Sequence, residues 1–86
     1  MKTEKFSFQI GRLAGMTYFA SNDLDNMDMF KDIFHELKNE VNKEHFFKGV
    51  NEQLDIIFED CDYGKEEADE IREDVLERLN NLFKEE

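Results

Sequence analysis

Carboxylates dominate the chemistry open to this chain. Six of those between Glu66 and Glu77 fall into two columns four residues apart: Glu66, Glu70 and Asp74, then Asp69, Glu73 and Glu77, with Glu67 beside them. On a helix, residues four apart stand about 5–6 Å from one another, and each like-charge pair costs roughly 0.2–0.5 kcal/mol. A helix shaped for stability alone alternates signs. A surface of one sign can hold a cation, share protons at a catalytic centre, or face a basic surface on another molecule.

The standard metal motifs fail on spacing, which leaves a weak cation site among these acids open. With Gly64 at the turn of a calcium loop and Glu70 as its closing ligand, Glu59, Cys61 and Tyr63 occupy the first three ligand positions, and thiol and phenol are unsuited to calcium. Glu67-x-x-Glu70, Glu70-x-x-Glu73 and Glu52-x-x-Asp55 resemble the magnesium motifs of all-helical nucleotide pyrophosphatases, the remote enzymatic alternative. Their order along the chain is reversed, however, and no Lys/Arg cluster accompanies them to hold phosphate.

Asp32-x-x-His35 is a single approximate copy of a motif that di-iron bundles need twice. His35 reads as a boundary residue beside Phe34, and His45 as a surface residue in a first turn. Cys61 has no neighbouring His to deprotonate it and is flanked by Asp60 and Asp62, so it reads as a small core residue. Gly11-x-x-x-Gly15 lacks the lysine and preceding strand of a phosphate loop, which leaves helix packing as its use. No catalytic residue, metal-ligand set or cofactor is expected.

The third use, facing a basic surface, agrees with the charge balance. The 86 residues carry a net charge of −11. Residues 1–22 are net +2 and residues 23–86 net −13, and Asp55–Glu77 alone holds eleven acids against Lys65 and Arg72. Such a field repels phosphate backbones and disfavours direct nucleic-acid binding. On a helix those eleven acids fall at one per roughly 3 Å, within a factor of about two of the charge density of duplex DNA. One cysteine, no signal-peptide pattern and no membrane-length apolar run predict a cytoplasmic setting and no membrane partner.

The length allows one domain, 1–86, with a modest core. Apolar spacing predicts an all-α antiparallel bundle of about four helices, near 6–20, 24–41, 43–62 and 65–84. Phe6, Ile10, Leu13 and Thr17 form the expected stripe of the first, whose Gly11, Ala14 and Gly15 make a small-residue face for close approach. Ser21, Asn22, Asp23 or Asp25 is the expected cap of the second, which carries Leu24, Met27, Phe30, Phe34, Leu37 and Val41. The phase then slips, placing a break near Asn42 with Asn42 as cap. Phe47, Val50, Leu54, Ile57 and Cys61 follow as the third stripe, flanked by Phe46 and Phe58, and Gly64 is the expected left-handed C-cap. Ala68, Ile71, Val75, Leu79 and Leu82 complete the core from the fourth helix.

In size, acidity and expected helicity the chain resembles the DNA-imitating inhibitors among phage antirestriction and anti-CRISPR proteins. It also resembles the immunity proteins that neutralise nuclease toxins, but lacks the Tyr-Tyr-Pro segment of the colicin-nuclease group. The resemblance is compositional and rests on no motif. It implies a non-enzymatic inhibitor or regulator that occupies a basic, nucleic-acid-binding site on a partner protein. The expected contact residues are Asp62, Glu66, Glu67, Asp69, Glu70, Glu73, Asp74 and Glu77. The alternative is a structural or regulatory helical module acting as a homodimer through apolar surface around Phe6, Phe8, Met16, Tyr18, Phe19 and Phe46.

Overall fold

The structure, a computed structural model, describes residues 2–19 and 24–84. Among them the chain forms four helices and no strand: α1 (Lys2–Phe19), α2 (Leu24–Leu37), α3 (Lys43–Asp60) and α4 (Lys65–Lys84), with a 3-10 turn, Lys38–Glu40, after α2. This is the small all-α bundle that the periodicity predicts. The candidate caps Ser21, Asn22 and Asp23, and the side chain of Asp25, lie outside the described residues.

The most extensive contact joins α1 to α3, and the two run parallel. Glu4 lies beside His45, Gly11 beside Phe46, Gly15 beside Val50, and Phe19 beside Phe58. Glycine makes this approach available from both sides. A Cβ on Gly11 would overlap the Phe46 carbonyl, and one on Gly49 would overlap the Phe8 carbonyl. The small-residue face expected on α1 is therefore its buried face, formed by Ser7, Gly11, Ala14, Gly15 and Tyr18. The expected stripe through Phe6 and Leu13 is corrected: both are exposed, because side chains of that size cannot enter so narrow a seam. Sequential helices are antiparallel, as Tyr18 against Phe30 and Phe47 against Phe83 show.

Asn42 holds the start of α3 to α1. Its Oδ1 accepts the His45 backbone N–H at 3.1 Å, the N-cap bond expected of it, and its own N–H donates to buried Ser7 Oγ at 2.7 Å. To present Asn42 this way the chain leaves α2 at Leu37, four residues before the expected end. It passes through the 3-10 turn and extends at Val41.

The core is aromatic. Phe34, Phe46, Phe47 and Phe83 meet at ring separations of 5.0–5.7 Å, and Phe19, Phe58 and Tyr63 form a second group at 5.6–6.1 Å. In α3 the buried line is Phe46, Val50, Leu54 and Phe58 with Gly49 and Gln53, a small rotation of the expected stripe that keeps Val50 and Leu54 and exchanges Phe47 and Ile57 for the flanking Phe46 and Phe58. The shift turns Gly49 onto α1. From α4, Val75, Leu79 and Leu82 are buried as expected, with Ala68, Ile71, Leu76 and Phe83 packed against them.

The turn between α3 and α4 corrects two expectations. The left-handed residue is Asp62, with φ 55°, and Gly64 has no positive φ. Because α3 stops at Asp60, Asp62 is two residues past its end, where the Tyr63 N–H reaches back to the Phe58 carbonyl at 3.3 Å and the two rings touch. That is a Schellman ending with its apolar clasp, and Asp tolerates the left-handed position. Gly64 instead stands immediately before α4, its carbonyl accepting from Ala68 N–H at 2.9 Å. Cys61 is exposed rather than buried, since the core line ends at Phe58 and Tyr63 folds back over it. Replacing Asp62 with glycine is expected to stabilise the fold by about 1 kcal/mol by removing the left-handed penalty. Urea denaturation checks this, and an unchanged or lower midpoint contradicts it.

Candidate functional site

An acidic face forms on α4 because its apolar residues all lie on the opposite side. At 3.6 residues per turn, Ile71, Val75, Leu79 and Leu82 share one side, and the seven acids from Glu66 to Glu77 are left within about 160° of circumference. All seven, and Asp62 in the preceding turn, are exposed. Glu66 and Glu67 occupy the first turn, where the helix dipole favours negative charge.

The basic residues do little to neutralise this face. Arg72 turns away from it and across to α3. It donates to Asn51 Oδ1 at 2.6 Å, makes an ion pair with Asp55, and lies over the Phe58 ring at 5.5 Å. Arg78 stands at the edge of the face and pairs with Asp74 at 3.2 Å. Among the described residues, Glu66, Glu67, Asp69, Glu70, Glu73 and Glu77 make no ion pair. Toward α3 the acidity continues: Asp55, Glu59 and Asp62 line an open depression with Phe58 and Tyr63.

The other candidates are dispersed. His45 is half-buried, with Nε2 at 4.0 Å from Glu4 Oε2 and 3.9 Å from Glu44 Oε2, and His35 is half-buried on α2. Among the described residues, no three of His, Cys, Asp and Glu come together as a metal ion would require. Glu52-x-x-Asp55 and the carboxylate motifs of α4 thus do not converge, and Asp55 is taken by Arg72. None of the described helices is long and apolar enough to cross a membrane.

Sequence spacing does not show that Arg72 faces α3, since that depends on the α3–α4 register. It does hold a signal for the exposed apolar residues of α2: Met29 and Ile33 are out of phase with the Phe30–Phe34 stripe. No family model matches the chain, and no curated protein or solved structure matches it.

Proposed function

We propose that the chain is a non-enzymatic inhibitor or regulator that occupies a basic, nucleic-acid-handling site on a partner protein. The acidic face of α4 is the contact surface. The observation that carries this reading is the inward turn of Arg72. The one cation midway along α4 is committed to Asn51 and Asp55, leaving Asp69, Glu70, Glu73 and Glu77 as a field of one sign. A rigid helix presents those charges with little ordering cost, and a guanidinium- or ammonium-lined groove is their complement.

Binding of this kind is long-ranged and screened, because the Debye length is about 8–10 Å at ordinary ionic strength. Immobilised protein is expected to retain a basic partner from its native cell at low salt. Raised salt should release that partner, and so should added duplex DNA competing for the same groove. Identification by mass spectrometry checks the result. A partner that stays bound through high salt, or that DNA does not displace, removes this reading.

A further inference from the structure

The outward side of the α1–α2 pair carries apolar surface that the bundle leaves uncovered. Phe6 (39% exposed), Leu13 (51%) and Met16 (53%) lie on α1, and Met29 (61%) and Ile33 (50%) on α2. The two helices run antiparallel, with Phe6 and Leu37 sharing one open groove and Tyr18 against Phe30 further along. In that register Leu13 stands level with Ile33 along the pair, and Met16 level with Met29. The helical phases of all five point to the same side of the groove, away from α3, so they form one continuous patch.

We infer that a second copy of this chain docks on that patch. Two observations favour this occupant. The first is area. At roughly 200 Å² for a large side chain, the exposed fractions amount to about 500 Å² of apolar surface. A standard-size specific interface buries about 800 Å² per partner, and at the roughly 65% apolar share of homodimer interfaces that is about 520 Å², matching the patch. The second is charge. The residues of α1 are net +2 and those of α2 net −3.

Exposed Lys5 lies on the edge of the patch far from α2, and exposed Glu36 on the edge far from α1. A two-fold axis parallel to the helix pair lays α1 of each copy over α2 of the other. Lys5 of one copy then faces Glu36 of the other, twice over. The patch is therefore complementary to itself, as an isologous interface requires. A foreign partner would need its own matching basic and acidic rims. The acidic columns lie on α4, outside this patch, so the inference stands or falls separately from the proposed function.

Sedimentation equilibrium across a dilution series tests the inference. The wild type is expected to weigh twice the 10.3 kDa of one chain at micromolar concentration. Leu13→Gln with Ile33→Gln is expected to weaken dimerisation roughly tenfold or more with unchanged circular dichroism, since both side chains are half exposed. Lys5→Glu and Glu36→Lys should each weaken it, and the two together should restore it, a result that loss of folding cannot imitate. The inference is overturned by a wild type that stays monomeric at every concentration. It is also overturned by a dimer that neither set of substitutions affects. A monomer that binds anionic vesicles or a basic amphipathic peptide through Leu13 and Ile33 would give the patch to that occupant and overturn it as well.

Discussion

One methyl group at residue 11 is expected to remove about 3 kcal/mol of stability, the upper part of the usual range for overpacking. On helix propensity alone, Gly11→Ala gains about 1 kcal/mol. The sign is reversed because the added Cβ meets the Phe46 carbonyl, with Val50 N at 3.1 Å behind it. These are backbone atoms of a packed helix, so no flexible side chain can swing aside. Folded domains hold about 0.05–0.15 kcal/mol per residue, so the loss is a large share of the total for 86 residues. At about 4–8 °C per kcal/mol, the melting temperature should fall by roughly 12–24 °C.

Gly49→Ala strikes the same seam from the α3 side, against the Phe8 carbonyl, and should cost a similar amount. Together the two changes should cost less than their sum, because one displacement of α1 from α3 relieves both. Gly64→Ala is the control, with no atom within 4 Å of its added Cβ. If Gly11→Ala melts at the wild-type temperature, the α1–α3 seam is not as close as described.

The other large effect concerns binding. Reversing Glu70, Glu73 and Asp74 to lysine is expected to weaken partner binding by roughly a hundredfold or more, since like charges set against a basic groove cost several kcal/mol. Folding should hardly notice. A lysine at position 70 becomes an attractive neighbour of Glu66, and one at position 73 of both Asp69 and Glu77, at about 0.2–0.5 kcal/mol for each pair. These gains offset loss of the Asp74–Arg78 bridge and new repulsion among the lysines. Unchanged helicity with lost binding identifies the acidic face as the contact surface. Retained binding assigns contact elsewhere. The mechanism requires Arg72 to stay on α3, because Arg72 turned outward would neutralise Glu73 and its neighbours.

Elements whose burial depends on large side chains were legible in the sequence. Phe30 and Phe34 in α2, and Val75, Leu79 and Leu82 in α4, sit where their spacing puts them. Asn42 caps α3 because a short polar side chain at a phase slip has a specific bond to make. Hydrophobic spacing misled on α1, where glycine, alanine and serine fill the buried face while Phe6 and Leu13 are exposed. Apolarity measures transfer from water, whereas this seam selects for size. The same effect rotated the α3 line slightly, keeping Val50 and Leu54 but putting Phe46 and Phe58 in place of Phe47 and Ile57, so that Gly49 faces α1.

At the α3–α4 turn, preference for glycine at positive φ pointed to Gly64, but the end of α3 put Asp62 there. Exposure of the acidic columns followed from phase alone. The neighbours of Arg72 did not, since they come from a helix seventeen to twenty-one residues away.

The parallel pairing of α1 with α3 also bears on the order in which the molecule comes together. Ser7 meets Asn42 across 35 positions and Arg12 meets Gln53 across 41, so the tightest seam joins segments far apart in the chain. Helical bundles usually fold fast because their contacts are local. Here α1 is synthesised well before the glycine of α3 that it must fit against. Apart from Tyr18 at its end, its buried face is built from Ser7, Gly11, Ala14 and Gly15 and offers little for the nascent chain to stick to during that wait. A seam of small residues suits a helix whose partner is synthesised later.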